Sequence, residues 1–376
     1  MALAILFSQK RKLDKEVEIL KEQMKGLSVY LDGLPSVPKE KRGKIVIEGL
    51  RAEGEKAMDE YRWSEAIDYF QKALTLANGK DKAIILHRLG RCHYVVGHLD
   101  QALVSLEESL QIAGKIQDRI GQAANLGNIG IIHQAKGDLN KALKYLEDAL
   151  KIDQGTGYKE GVATQLGNIG LIYRLKGDID QALNYHQDAL KIDKEIGSRE
   201  GEASELGKIG NIYYLKGDLD QALKYHQEAL EIHKEISARE GEAADLGNIG
   251  LIYKAKGDLD QALKYYQDAF KIDQEIGFKE GKATQLGNIG VVYKIKGDLD
   301  KALKYFEEVL AIEREWGLRL GEANALGNIG LIYKGKGEKE KALKHYEDAL
   351  KIFKEIGATR EIEITEKNIQ TLSKRE

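Results

Sequence analysis

The 376-residue sequence has little cysteine, little proline and little net charge, and each shortage excludes a class of protein. The single cysteine, Cys92, rules out an intramolecular disulfide and gives no sign of an oxidising compartment. A formal net charge of -3, with 32% of residues charged, argues against a dedicated nucleic-acid binder, which would be strongly basic. The interspersed charges instead indicate a soluble helical surface with many ion pairs.

The beginning of the sequence lacks the features of a signal peptide. MALAILFSQKRK contains a short apolar run, but no basic region precedes the run and no small-residue cleavage site follows it. The run is also too short to span a bilayer. We therefore expect a cytoplasmic protein without a membrane partner.

Both prolines lie in one segment, LDGLPSVPKEKRGK, which predicts a linker at residues 33–44. Before it, residues 1–32 carry apolar side chains spaced mostly by three and four, close to a heptad seam. This amphipathic helix could pack against the rest of the chain, form a homodimer or bind a partner. The sequence leaves these three alternatives open.

Internal repetition is the most informative feature that the sequence does contain. Six copies of a 40-residue unit run from Gly121 to Arg360, and the copies at Gly161–Glu200 and Gly241–Glu280 are identical at 28 of 40 positions. Two more divergent units precede them, and a polar tail follows. A fixed period in this range is typical of a solenoid, in which each unit packs on its neighbours.

The apolar spacing predicts that each unit is a helical hairpin. Ile169 and Tyr173 lie on one face of a first helix, which Gly177 can end in a left-handed conformation. Asp178 can then cap the second helix. We predict an all-α solenoid of about eight hairpins over residues 45–360 and a capping helix at 361–376. The hairpins are expected near residues 45–80, 81–120, 121–160, 161–200, 201–240, 241–280, 281–320 and 321–360.

Two glycines recur inside most first helices, as at Gly167 and Gly170. A glycine in a helix costs about 1 kcal/mol relative to alanine. We interpret both as positions where helix backbones pack closely, and not as a phosphate-binding loop.

These residues resemble the signature of the tetratricopeptide repeat (TPR). The resemblance rests on Ile169-Gly170-x-x-Tyr173, Gly177, Ala182, His186 and Ala189. The long period and the Leu-Gly-Asn string are similar to the long-helix variety found in partner-of-inscuteable-type adaptors. The chain lacks the proline that often follows the second helix in the common form. The resemblance covers roughly residues 43–376 and implies a right-handed superhelix whose first helices line a concave groove.

No group of residues indicates catalysis. His186 and His226 occupy a position that is leucine, tyrosine or phenylalanine in other units, so we interpret them as packing residues. His87, Cys92 and His93 lie close together but lack a second cluster at zinc-ligand spacing. We therefore expect no enzyme activity, no cofactor and no metal.

A recurring asparagine on the first helix is the best candidate for binding. Its amide offers a donor and an acceptor, which match the backbone of an extended peptide. In the resembled family, this position contacts bound peptides. Hydrogen bonds that fix the stacking of repeats are the alternative. The asparagines are Asn128, Asn168, Asn248, Asn288 and Asn328.

The fifth unit departs from this pattern, because Lys208 replaces the asparagine and Asn211 and Tyr214 replace two further residues. A cation beside an aromatic ring could receive an acidic side chain or a terminal carboxylate. Drift between copies is the competing explanation. Later units each carry one lysine nearby. These are Lys254, Lys294 and Lys334.

We therefore predict a non-enzymatic scaffold that binds a peptide or helical segment of a partner protein in the concave groove. The lysines favour an acidic or amphipathic ligand. One alternative is a structural protein that self-assembles through residues 1–32. The other is a nucleic-acid-binding solenoid, which the net charge disfavours.

Overall fold

A computed structural model describes residues 39–373, with side chains from residue 43 onward. All regular structure in this part of the chain is α-helical, in 17 helices, α1–α17. The predicted helix at residues 1–32 and the start of the predicted linker lie outside the described residues. The remainder of that linker differs from prediction, because α1 begins at Lys39. The lysine, glutamate and arginine that follow Pro38 are good helix formers, and this favours an early start.

The helices form eight hairpins and one terminal helix, as predicted. The first helices of the hairpins are α1 (Lys39–Asp59), α3 (Gly79–Val95), α5 (Arg119–Ala135), α7 (Lys159–Leu175), α9 (Arg199–Leu215), α11 (Arg239–Ala255), α13 (Lys279–Ile295) and α15 (Arg319–Gly335). The second helices are α2 (Trp63–Leu74), α4 (Leu99–Lys115), α6 (Leu139–Thr156), α8 (Ile179–Ile196), α10 (Leu219–Glu235), α12 (Leu259–Glu275), α14 (Leu299–Trp316) and α16 (Lys339–Ile356). The predicted capping helix is α17 (Thr359–Ser373).

The chain divides into two compact units, one ending at Tyr185 and the other beginning at His186. In the first unit, α1, α3, α5 and α7 pack successively against one another. In the second unit, α9, α11 and α13 do the same. We call the surface formed by these helices the first-helix wall of each unit.

The predicted turn between the two helices of a hairpin is confirmed. Gly177 has φ +84°, a left-handed conformation that favours glycine. The side chain of Asp178 accepts a hydrogen bond from the backbone N–H of Gln181 at 3.2 Å. Tyr173 and Tyr185 stack with ring centroids 5.3 Å apart, which joins the two helices next to the turn.

The two recurring glycines have different roles. A Cβ at Gly250 would lie 2.8 Å from the buried ring of Tyr266, so close packing explains this position. The other glycine of the helix is not always crowded, because a Cβ at Gly287 or Gly327 would meet no atom within 4 Å. The close-packing interpretation is wrong for those two residues.

Ion pairs repeat along the surface, some between successive hairpins and some between the two helices of one hairpin. In the second unit, Lys256 pairs with Asp220 at 2.5 Å, and Arg239 pairs with Glu275 at 2.6 Å. These pairs confirm the ion-paired helical surface that the composition indicates. Among the described helices, none is long and apolar enough to cross a membrane.

Candidate functional site

The predicted binding residues all lie on first helices, and the five recurring asparagines among them are half-buried. Some of them contact their own chain. The Asn128 amide nitrogen lies 3.4 Å from Nε2 of His87 on the preceding hairpin, and the Asn328 amide donates to the Asn324 carbonyl at 3.1 Å. Asn168 occupies the same position on α7. Stacking between hairpins therefore uses at least Asn128.

Asn248 and Asn288 come together at one cavity on the first-helix wall of the second unit. The cavity has a volume of about 480 Å³ and is lined mainly by residues of α11 and α13. Leu251 contributes an apolar patch beside the two amides. Two asparagines from neighbouring helices therefore line the same space, as a peptide-binding ladder requires.

Two positively charged side chains lie further along the same two helices. Lys254 and Lys294 are half-buried. Burial lowers the pKa of Lys254, and the nearby charge of Lys294 lowers it further. Burial likewise lowers the pKa of Lys294. An anionic group beside these lysines would relieve both effects. Lys334 is half-buried at the equivalent position of α15.

Lys208 already has a partner within the chain. Its ammonium donates to Glu205 at 2.6 Å, and Glu205 also lies 2.7 Å from Nδ1 of His186. Burial alone would raise the pKa of Glu205, but the His186 hydrogen bond and the Lys208 charge outweigh it and lower the pKa. The lysine of the fifth unit thus compensates a buried carboxylate. An acidic ligand at this position would compete with Glu205.

The other two substitutions of the fifth unit lie on α9 near Lys208. Asn211 is exposed, whereas Tyr214 is half-buried and close to Tyr266 of the next hairpin. The three residues therefore do not share one environment.

Buried polar groups between successive hairpins are functional candidates that the sequence reasoning missed. His226 and His233 on α10 both bond Asp245 on α11, with Nδ1 to carboxylate distances of 3.1 and 2.7 Å. We call these three residues the histidine junction. His186 and His226 are buried, as predicted for packing residues, but each also bonds a carboxylate. Reading the repeats column by column would have revealed the charged partners.

The next junction along the chain opens onto the cavity that Asn248 and Asn288 line. There Asp273, at the end of α12, and Gln285, on α13, take the places of His233 and Asp245. Burial raises the pKa of Asp273 to about 6; the Gln285 amide offsets part of this shift, and the charge of Glu240 adds to it. We call this cavity, with Glu240, Asp273, Glu280 and Gln285 on its lining, the acidic cavity.

Cys92 and His87 lie in local environments of their own. Cys92 is buried, and burial raises the pKa of its thiol to about 11. Nδ1 of His87 lies 3.1 Å from the side-chain oxygen of Asn125. Within residues 39–373, no group of three or more histidine, cysteine, aspartate or glutamate side chains has an arrangement that could hold a metal ion.

The comparisons with known proteins agree with this architecture. A family model described as tetratricopeptide repeat matches residues 121–195, 202–275 and 283–355. No curated protein matches the sequence.

Several solved structures have a similar fold at low sequence identity. Aspartyl phosphate phosphatase F from Bacillus subtilis has a TM-score of 0.59 and 15% identity, over 73% of this chain and 72% of that chain. A signal transduction ATPase with a tetratricopeptide repeat sensor, from Pyrococcus horikoshii, has a TM-score of 0.64 and 18% identity, over 85% of this chain and 50% of that chain. The Rap conjugation gene regulator of the plasmid pLS20, in complex with a Phr peptide, has a TM-score of 0.57 and 16% identity, over 75% and 78%.

Proposed function

Because the chain belongs to the tetratricopeptide repeat family, we propose that it is a scaffold that binds an extended peptide of a partner protein. The peptide lies along the first-helix wall of the second unit. The observation that carries this proposal is the pairing of Asn248 and Asn288 at one cavity of about 480 Å³. The peptide complex of the pLS20 regulator, which shares the fold, supports this mode of use.

The cavity has the chemistry that an extended peptide needs. Each asparagine amide can donate to a backbone carbonyl and accept from a backbone N–H. Leu251 provides apolar contact, and the volume falls within the range of ligand sites. Asn328 and Lys334 in the second unit are further candidate contacts, and Asn128 and Asn168 are the equivalent candidates on the first-helix wall of the first unit.

Lys254 and Lys294 determine which ligand side chains are preferred at one end of the site. Lys254 and Lys294 are close together, and burial lowers the pKa of both. Acidic side chains of the ligand therefore lie at this end, which retains the acidic or amphipathic preference expected from the sequence. Lys208 contributes less to ligand binding, because its ammonium already donates a hydrogen bond to Glu205.

The finer family assignment remains part of the proposal. Helices of 17 or 18 residues in a 40-residue period support the long-helix variety of partner-of-inscuteable-type adaptors. The proposal places the scaffold in the cytoplasm and assigns it no catalysis.

A peptide-display selection tests the proposal. Random peptides are selected on the full chain, and the affinities of the selected peptides are measured by fluorescence anisotropy. Asn248→Ala together with Asn288→Ala should weaken binding about ten- to a hundredfold, because several hydrogen bonds are lost. Asn184→Ala removes an exposed asparagine of a second helix and should leave affinity unchanged. Equal affinity for the double variant and the unaltered chain would refute the proposal.

A further inference from the structure

The acidic cavity carries three carboxylates. Glu240 and Glu280 are exposed in the first turns of α11 and α13, and Asp273 is buried at the end of α12. Within residues 39–373, neither glutamate forms an ion pair. The lining of the cavity includes no lysine or arginine. The carboxylates are therefore not neutralised from within the cavity.

The cations near the cavity are held by other groups. Arg239 pairs with Glu242 at 2.5 Å and with Glu275 at 2.6 Å. The Lys279 ammonium lies 3.6 Å from the ring centroid of Trp316. The Lys282 ammonium lies 6.0 Å from the ring centroid of Phe270, so each cation beside the first turns of α11 and α13 has a partner outside the cavity.

Two buried oxygens at the cavity have no hydrogen-bond donor. Asp273 is 1% exposed and Gln285 is 6% exposed. Oδ2 of Asp273 and Oε1 of Gln285 have no partner among the described residues. A favourable interaction with the helix dipole explains glutamates in a first turn, such as Glu240 and Glu280. It does not explain buried acceptors without donors, which cost free energy in a folded protein.

We propose that the acidic cavity binds an arginine side chain of the peptide. This inference rests on the proposed function and adds the identity of one ligand residue. The acceptors belong to different helices, with Asp273 on α12, Gln285 on α13 and Glu240 on α11. A planar guanidinium has five donors and is weakly hydrated, so it can bond several acceptors at once. A lysine ammonium has three donors and loses more hydration.

The inference also gives the ligand a direction. The cavity reaches Glu240 at the start of α11, whereas Lys254 lies near the end of the same helix. Fourteen residues separate the two, which corresponds to about 20 Å along a helix. A peptide that fits both ends carries its arginine near Asp273 and its acidic side chains near Lys254 and Lys294.

The first unit contains an equivalent set of residues with one carboxylate fewer. Asp153 and Gln165 occupy the positions of Asp273 and Gln285, but Ile120 replaces Glu240. In this copy the Gln165 amide donates to Oδ2 of Asp153 at 3.3 Å. Among the described residues, Oε1 of Gln165 lacks a partner, as Oε1 of Gln285 does, so the first unit has a similar buried pair without the charge of Glu240 and provides a control site.

The test combines peptide selection with substitution of the cavity. Random decapeptides are displayed and selected on the full chain and on a variant with Glu240→Gln, Asp273→Asn and Glu280→Gln. A variant with Glu240→Gln and Glu280→Gln alone changes only exposed residues and serves if the triple variant unfolds. A variant with Asp153→Asn and Glu160→Gln is the matched control. One selected peptide is also made with citrulline, the neutral isostere of arginine.

The expected result is enrichment of arginine at one position on the full chain and on the control. Enrichment should disappear on the cavity variants, although the peptides still bind through Asn248 and Asn288. Citrulline should weaken binding to the full chain about ten- to a hundredfold and have little effect on the cavity variant. Asparagine-dependent peptides without an arginine preference would overturn this inference and leave the proposed function standing. Arginine enrichment that persists on the cavity variants would also overturn it. Absence of asparagine-dependent peptides would overturn both.

Discussion

Two successive junctions in the second unit use the same repeat positions differently. In the histidine junction, Asp245 accepts hydrogen bonds from His226 and His233. One hairpin later, Asp273 replaces His233 and Gln285 replaces Asp245, and each new residue has an oxygen without a donor. One polar position can thus stabilise stacking in one repeat and be left open for a ligand in the next. The following predictions test that contrast.

The largest expected effect is at the histidine junction. Asp245→Asn removes the charge that both histidine rings contact and should lower the free energy of unfolding by about 2–4 kcal/mol. Asp268→Asn, at an exposed site on α12, is the control and should change stability little. Urea unfolding followed by circular dichroism measures both. A loss of stability no larger than that of the control would remove the structural role from this junction.

The same substitution in the acidic cavity should have the opposite sign. Burial keeps the pKa of Asp273 near 6, above its ordinary value of 3.8, so the charged carboxylate destabilises the fold at neutral pH. Asp273→Asn should therefore raise the free energy of unfolding by about 1–3 kcal/mol at about pH 7.5. The new amide can also donate to the unpartnered oxygen of Gln285. Destabilisation by this variant would mean that Asp273 has a partner like that of Asp245.

The gain from Asp273→Asn should depend on pH. Between about pH 4 and pH 6, the unfolded carboxyl has lost its proton while the folded one retains it, so the unaltered chain loses stability as pH rises. The variant lacks this loss. The difference in the free energy of unfolding between the variant and the unaltered chain should be smallest near pH 4, grow up to about pH 6 and then level off. A constant difference across this range in urea unfolding would contradict the raised pKa.

The smallest expected effect concerns the glycines that face the two junctions. A Cβ at Gly207 would lie 3.6 Å from Oδ1 of Asp245, an ordinary contact, so Gly207→Ala should stabilise the chain by up to about 1 kcal/mol. A Cβ at Gly247 would lie 3.0 Å from Nε2 of Gln285, so that side chain must move. Gly247→Ala should therefore gain less. Thermal unfolding compares the two, and a larger gain at Gly247 would show that Gln285 moves freely.

Much of the fold could be predicted from the sequence because its signals are local. The left-handed glycine at Gly177 and the cap by Asp178 follow from residues next to each other in the chain. The exception is the linker, where helix formation after Pro38 prevailed over the interpretation of the segment as irregular.

The site was less predictable because its groups are distant in sequence. Asp245 lies 19 residues from His226 and 12 from His233, on another helix, and no local motif joins them. The sequence likewise does not reveal that Lys208 pairs with the buried Glu205. The predicted asparagines Asn248 and Asn288 do line a cavity, but its acidic side was not anticipated. A buried polar atom without a hydrogen-bond partner can be recognised only from the three-dimensional structure.

Titration of the Asp273 carboxyl tests whether this carboxylate is left open for a cation. The side-chain carboxyl ¹³C shift is followed by NMR from low to neutral pH, with the free chain and with a selected arginine peptide or its citrulline counterpart. We expect a pKa of about 6 in the free chain, a clear decrease with the arginine peptide and no decrease with citrulline. The same pKa in all three samples would contradict the claim that Asp273 is left open for a cation.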